Sequence, residues 1–201
     1  MSSESRLAKH SKVPSAEYSA EERKLLLRFA HESIHARLHG RSFDPPEPAA
    51  HLAEKRGAFT TLRLGGKLRG CIGYIVAVNP LYLTVMETAA AAAFEDPRFM
   101  PVSDTEAPQL QIEISVLSPI VPIAPEDVEI GRHGLMISHH DQRGLLLPQV
   151  PIEWGWDRER FLSETCRKAG LPSDDWQRGA TIQAFTAEVF SESSPGHSLR
   201  D

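Results

Sequence analysis

The chain has 201 residues, 41% of them apolar and 24% charged, and a net charge of −5, a balance typical of one globular domain. No strongly basic block is present, which argues against nucleic-acid binding, and the longest apolar run, at residues 89–94, is too short to cross a bilayer. The polar N-terminal segment predicts no signal peptide, and two cysteines are too few for a disulfide framework, so we expect free thiols and a cytoplasmic protein.

A helix is the first predicted element. Ser19 and Glu22 form a capping-box pattern, and apolar residues then recur at helical spacing to about Leu38. Gly40 is the predicted end of this helix. Prolines within residues 41–50 predict a linker to the next element.

A hairpin, a helix and a strand are predicted next. Two adjacent glycines, Gly65 and Gly66, predict a tight turn between two strands, and an alanine-rich helix follows. An alternation of apolar and polar residues then predicts a further strand. The predicted elements are strands at 58–64 and 67–78, a helix capped by Asn79 and started by Pro80, and a strand at 109–117.

The same order of elements is predicted a second time. Its members are strands at 135–139 and 144–147, a helix that Asp157 caps, and a strand at 181–190. This order predicts an α+β fold with a mainly antiparallel sheet, in which the hairpin–helix–strand unit is duplicated. Arg69-Gly70 and Arg143-Gly144 would occupy comparable places in the two units.

The domain organisation follows from this order. Residues 19–190 are predicted to form a single domain with lobes at about 19–120 and 121–190. Small polar residues dominate 1–18 and 191–201, which predicts disordered tails.

The most informative segment lies on the second predicted strand and reads Leu68-Arg69-Gly70-Cys71-Ile72-Gly73. Period-two alternation places Arg69, Cys71 and Gly73 on one face. A guanidinium beside a thiol stabilises the thiolate, so Cys71 is a candidate nucleophile or ligand contact in a small-molecule cleft. The alternative is a buried cysteine whose neighbouring glycines only relieve packing.

Six ordered segments resemble the AMMECR domain family, which includes protein A of the AmmeMemoRadiSam system, and the resemblance covers about residues 20–190. The matching segments are Phe59-Thr60-Thr61-Leu62 with Leu68-Arg69-Gly70-Cys71-Ile72-Gly73, Ala92-Ala93-Phe94 with Asp96-Pro97-Arg98-Phe99, Ile114-Ser115-Val116-Leu117-Ser118-Pro119, Arg143-Gly144-Leu145-Leu146-Leu147-Pro148-Gln149-Val150, Phe161-Leu162, and Cys166-Arg167-Lys168-Ala169-Gly170-Leu171. The resemblance implies a two-lobed α+β fold, a small-molecule ligand, and two partners, a Memo-like protein and a radical S-adenosylmethionine enzyme. It implies no settled reaction, and the cofactors stay unknown.

The residues and the resemblance together give a set of candidate site residues. The candidate catalytic residues are Cys71, Arg69 and Glu113, and the candidate substrate-binding residues are Gly70, Gly73, Arg98, Gln149 and Glu153. We expect Cys71 and either Gln149 or Glu153 to line one pocket between the lobes. The alternatives are a helix-end charge for Arg98, a solvated sheet face for Glu113 and a loop hydrogen bond for Gln149. Cys166 lies in the apolar face of its predicted helix, so we expect it in the core.

Histidines on the first helix also suggest a metal. His31, Glu32 and His35 have the spacing of a zinc protease, and His39 adds a further turn. The apolar stripe of this helix lies about 120° from the histidine row, so we expect the row to face solvent and no metal site to form. A zinc hydrolase stays a remote alternative. His139-His140-Asp141 is predicted to be a turn.

Two functions from different classes therefore remain open. The first is a cytosolic small-molecule enzyme, or enzyme subunit, that uses a cleft around Cys71 and acts with Memo-like and radical S-adenosylmethionine partners. The second is a non-catalytic binding or scaffold module for a Memo-like partner.

Overall fold

Two antiparallel sheets and four α-helices make up the part of the chain that the structure, a computed structural model, describes, namely residues 16–46 and 48–192. The helices are α1 (Ala20–Leu38), α2 (Leu81–Phe94), α3 (Val150–Glu153) and α4 (Arg158–Lys168). The strands are β1 (Ala58–Leu64), β2 (Lys67–Tyr74), β3 (Leu110–Leu117), β4 (Val121–Pro122), β5 (Gly134–His139), β6 (Gln142–Leu146), β7 (Thr181–Phe185) and β8 (Ala187–Ser191). The predicted α+β class with antiparallel pairing is confirmed. Among these helices, none combines the length and apolarity that a membrane span needs.

The start and end of α1 follow the predicted chemistry. The Ser19 hydroxyl accepts a bond from the Glu22 N–H at 3.2 Å, and the Glu22 carboxylate accepts one from the Ser19 N–H at 2.8 Å. Beyond Leu38, Gly40 has a φ of +64°, a conformation that suits glycine at a helix end.

The first sheet has the order β2-β1-β3-β8, and its core lies between one face of the sheet and the helices α1 and α2. The alanines of α2 let the helix approach the sheet closely. At Gly70 a Cβ atom would lie 2.1 Å from the carbonyl oxygen of Ala92, so the contact requires glycine on the strand.

The second sheet has the order β4-β7-β5-β6 and packs against α4 around a separate core. Cys166 is fully buried in that core, as predicted, and burial raises the pKa of its thiol. A Cβ atom at Gly144 would lie 2.3 Å from the backbone nitrogen of Ala169. Gly144 therefore occupies the same place in this sheet as Gly70 does in the first.

The two halves follow one topology and exchange their last strands. In each half a hairpin is followed by a helix and by a strand that pairs with the first strand of that hairpin. After β3 the chain crosses to the second sheet, where β4 pairs with β7, and after β7 it returns, so that β8 pairs with β3. The crossovers meet where the Ser118 N–H donates to the Thr186 carbonyl and the Thr186 N–H donates to the Ser118 hydroxyl, both at 2.9 Å.

Several predicted boundaries differ from the structure. Strand β2 ends at Tyr74 and not at residue 78, because its partner β1 begins at Ala58, directly opposite Tyr74. Asn79 does not cap α2; its side-chain amide donates to Glu87, and Pro80 takes the cap position.

The C-terminal strand also differs from expectation. The strand predicted at 181–190 is two strands in different sheets, because the chain crosses between the sheets at Thr186. Strand β8 thus falls within the predicted second lobe by chain position but pairs in the first sheet. The predicted tails fall largely outside the described residues, at 1–15 and 193–201, but Tyr18 is buried at 1% exposure and belongs to the first core.

Candidate functional site

Cys71 lies on β2, at the edge of the first sheet, with its side chain half-buried. The Thr61 hydroxyl donates a hydrogen bond to the Cys71 sulfur at 3.3 Å. Thr61 is in register with Cys71 on one side and with Glu113 on the other, so the three residues form a row across three strands. This Cys71 row joins two of the predicted catalytic residues, about 10 Å apart over two strand spacings.

The Cys71 row lies on the face of the sheet that is turned away from α1 and α2. Side chains alternate along a strand, and the intervening Thr60, Leu62 and Ile114 are buried on the helix side. The row therefore belongs to the face of the first sheet that is turned away from these helices, here called the open face. This face also carries Phe59 and Val189, and between them Ser115 is buried. Thr61 was not among the predicted site residues, although pairing of the predicted strands would have placed it beside Cys71.

Arg69 sits at a β-bulge, where it is the extra residue on β2 between Leu68 and Gly70. Its guanidinium donates to the Glu106 carboxylate through Nε at 2.9 Å and Nη2 at 3.1 Å, and its Nη1 is buried without a partner among the described residues. The bond from Arg69 lowers the pKa of Glu106 to about 2. The positive charge expected to act on Cys71 is thus already paired with a carboxylate.

A clamp formed by Asp96 and Arg98 closes the outer edge of β2. The Cys71 N–H donates to Asp96 Oδ2 at 2.9 Å, and Arg98 Nη2 donates to the Cys71 carbonyl oxygen at 3.3 Å. Arg98 also donates to Asp96 through Nε at 2.9 Å and Nη2 at 2.7 Å. These bonds satisfy backbone groups that an edge strand otherwise leaves to water.

The Asp96 side chain is only 2% exposed, so its charge depends on these partners. The Arg98 side chain, with the N–H groups of Cys71 and Arg98, holds the pKa of the Asp96 carboxyl well below its usual range. Arg98, predicted to bind substrate, therefore has a partner within the protein. Sequence reasoning missed Asp96 as a site residue even though it belongs to the quoted Asp96-Pro97-Arg98-Phe99 segment.

The two glycines predicted to contact substrate both have packing roles. Gly70 admits the backbone of α2, as described above. At Gly73 a Cβ atom would lie 2.1 Å from the ring of Phe59, which covers the glycine from the neighbouring strand. Glycine at these two positions is explained without a ligand.

Gln149 and Glu153 lie at the two ends of α3, in the second half of the chain, and both are exposed. No hydrogen bond or ion pair in the described residues joins either of them to Cys71. Two cavities, of about 350 and 420 Å³, lie beside α1, and neither is lined by Cys71, Gln149 or Glu153. A pocket shared between Cys71 and either residue stays a prediction.

The larger of these two cavities is lined by the histidine row of α1, in which Glu32, His35 and His39 are exposed to solvent, as expected. Its lining includes His31, Glu32, His35, His39 and Asp104. His31 Nε2 lies 2.7 Å from Glu192 Oε1 and is thus already paired. In the part of the chain that the structure describes, no group of three or more histidine, cysteine or acidic side chains has the geometry to hold a metal ion.

The predicted turn at His139-His140-Asp141 is confirmed. It joins β5 to β6, and His140 has a φ of +52°. His139 Nδ1 lies 2.5 Å from Asp175 Oδ2, and its ring stacks on that of His140.

Comparison with known proteins finds a matching family model, related archaeal proteins and a related solved structure. Residues 27–190 match the family model described as AMMECR1. The chain is 43% identical over 189 residues to a protein of Thermococcus gammatolerans, covering 87% of this chain and 92% of that one. It is 42% identical over 193 residues to protein MK0488 of Methanopyrus kandleri, covering 90% and 93%. The crystal structure of the uncharacterized protein PH0010 from Pyrococcus horikoshii matches with a TM-score of 0.76 and 42% identity, over 85% of this chain and 91% of that one.

Proposed function

Since the chain belongs to the AMMECR1 family, we propose that it is a binding module whose open sheet face around Cys71 contacts a protein partner. The partner we propose is a Memo-like protein, with a radical S-adenosylmethionine enzyme acting in the same cytoplasmic system, as the family resemblance implies. The observation that carries the proposal is the pairing of the charged residues beside Cys71.

Charged groups in a small-molecule site usually converge on a concave space. Here Arg69 is paired with Glu106 and Arg98 with Asp96, so both guanidinium groups are directed at carboxylates of the same chain. At the surface the segment leaves the half-buried Cys71 row, beside the exposed Leu68 and the half-exposed Arg98 side chain.

The composition of the open face supports a protein partner. It mixes the polar Thr61 and Glu113 with the half-buried ring of Phe59 and with Val189, which is 52% exposed. Such a mixture of polar and apolar groups is typical of non-obligate protein interfaces. The helix-covered face of the same sheet is buried and is not available for contact.

A binding measurement tests the proposal. Thr61→Arg places a long charged side chain in the middle of the open face and should weaken binding to the Memo-like protein of the same genome at least tenfold. Thr181→Arg makes the same change at an exposed position on β7 of the second sheet and should change the dissociation constant less than twofold. Circular dichroism would confirm that both variants are folded. Unchanged binding by Thr61→Arg would refute the proposed surface.

A second candidate function, thiol chemistry at Cys71 within a small-molecule enzyme, is favoured by one contact. The Thr61 hydroxyl donates to the Cys71 sulfur, and Glu113 is the next residue of the row. Cys71→Ser separates the two functions, because it removes the thiol and preserves the size of the side chain. A deletion strain complemented with Cys71→Ser should show the wild-type metabolite profile if the chain only binds its partner. Loss of complementation with an intact complex would favour catalysis.

A further inference from the structure

A pair of histidines on α1 is arranged differently from the zinc-protease pattern that the sequence suggested. His35 and His39 lie one helical turn apart, and their Nε2 atoms are 3.2 Å apart. Their rings meet edge to face, with centroids separated by 4.5 Å. Without a metal ion the two rings form a hydrogen bond through these nitrogens, and a metal ion would take the place of the shared proton.

The separation matches the bite of a metal ion. Two bonds of about 2.1 Å from one Zn²⁺ ion that meet at about 100° place the two nitrogens 3.2 Å apart. This angle lies between the values for octahedral and tetrahedral geometry. We propose that His35 and His39 form a two-nitrogen site for a divalent transition-metal ion such as Zn²⁺.

Neighbouring side chains support His39 as a ligand and exclude His31. Asp104 Oδ1 lies 3.8 Å from His39 Nδ1, on the side of the ring away from His35. At this distance the carboxylate does not hydrogen-bond to the ring, but its charge favours the proton on Nδ1 and leaves the lone pair of Nε2 free for a metal. His31 is turned to Glu192 and is not available.

The remaining coordination positions are open to an exogenous ligand. Within the described residues no third protein ligand joins the pair, and the site lines a cavity of about 420 Å³. Water or a small ligand with an oxygen or nitrogen donor would complete the coordination. This inference depends on α1 and is independent of the proposed function of the Cys71 row.

Isothermal titration of Zn²⁺ into the full metal-free chain tests the site. His35→Gln and His39→Gln should each weaken binding at least tenfold, since each removes one of two ligands. Asp104→Asn should weaken it less than either histidine variant, because the Asp104 carboxylate acts on His39 only by its charge at 3.8 Å. His31→Gln, on the same helix, is the matched control and should change the affinity less than twofold.

Any other pattern overturns the proposal. Equal losses in His31→Gln and His35→Gln with none in His39→Gln would restore the zinc-protease spacing, and unchanged affinity in both pair variants would place the ion elsewhere. Nuclear magnetic resonance of the histidine rings in the wild-type chain provides a readout that needs no variant. Zn²⁺ should shift the ring signals of His35 and His39 first, and a first shift at other histidines would refute the site.

Discussion

Replacing Asp96 by alanine tests whether the clamp on β2 is a stability element. The substitution removes the acceptor of the Cys71 N–H at 2.9 Å and of the Arg98 N–H at 3.1 Å. Bonds of backbone N–H groups to a carboxylate contribute about 1.5–3 kcal/mol each. The ion pair to the half-exposed Arg98 side chain adds about 0–1 kcal/mol.

Water can reach the edge strand in the variant and recovers part of this free energy, so we expect a loss of about 3 kcal/mol, at the low end of the sum. Arg98→Ala is the matched comparison. It keeps the Asp96 carboxylate with its bonds to the Cys71 and Arg98 N–H groups, and it removes the ion pair, with its bonds through Nε and Nη2, and the long bond to the Cys71 carbonyl. Water reaches the carboxylate where the half-exposed Arg98 side chain had lain and replaces the bonds that are lost. We expect it to cost about 1 kcal/mol.

Urea unfolding followed by tryptophan fluorescence measures both variants. With a slope of about 2 kcal/mol/M, Asp96→Ala should lower the midpoint by about 1.5 M and Arg98→Ala by about 0.5 M. Equal losses in the two variants would refute the reasoning, because the ion pair and not the backbone clamp would then carry the stability.

The contribution of Asp96 to the free energy of unfolding has a defined pH dependence. The folded-state pKa of Asp96 is lowered, so its contribution is present above the unfolded pKa near 4 and is lost as the pH falls through the folded value. The difference in unfolding free energy between wild type and Asp96→Ala should therefore be constant at neutral pH and shrink below pH of about 4. A constant difference down to about pH 2 would contradict this assignment.

Three further outcomes are expected. Gly70→Ala and Gly144→Ala should each lose at least about 2 kcal/mol of unfolding free energy in urea titrations, because a Cβ would lie 2.1 and 2.3 Å from helix backbone; an unchanged midpoint would contradict this packing. Glu106→Gln should lower the free energy of unfolding by about 1–2 kcal/mol at pH 7, and this loss should disappear as the pH falls from about 4.5 towards about 2. Equal losses at pH 7 and about pH 2.5 would exclude the bond between Glu106 and Arg69 as the cause. A thiol-reactive chromophore should label Cys71 in the native protein and Cys166 only in urea; two reactive thiols without urea would show that the second core opens.

Local signals in the sequence predicted local structure well. The capping box at Ser19 involves residues of one helical turn, and it is confirmed. The alternation along β3 involves residues of a single strand, and the predicted apolar face of that strand is buried. The burial of Cys166 followed from its place on one helix face. In each case the deciding interaction is close in the chain.

The candidate site was less predictable because its contacts are distant in the chain or depend on register. Arg69 pairs with Glu106, which is 37 residues away, and no sequence pattern near either residue predicts the bond. The bulge at Arg69 also changes the register in a way that alternation alone does not predict. The predicted last strand divides at Thr186, and threonine is not a residue type that signals a turn. The position of this break depends on pairing with two different sheets, which the local sequence does not reveal.

The exchange of last strands bears on how a gene of this kind can change. A break between the two halves, after β4 and near Ala124, would leave each product with a three-stranded sheet and an unpaired edge where the partner strand had lain. The most available cover for such an edge is the matching strand of another copy, so the separated halves would associate or aggregate before either could serve alone. Once a chain has acquired this arrangement, its two halves can no longer be separated into independent genes. An added segment is accommodated more readily at the ends of the chain or in its loops than between the halves.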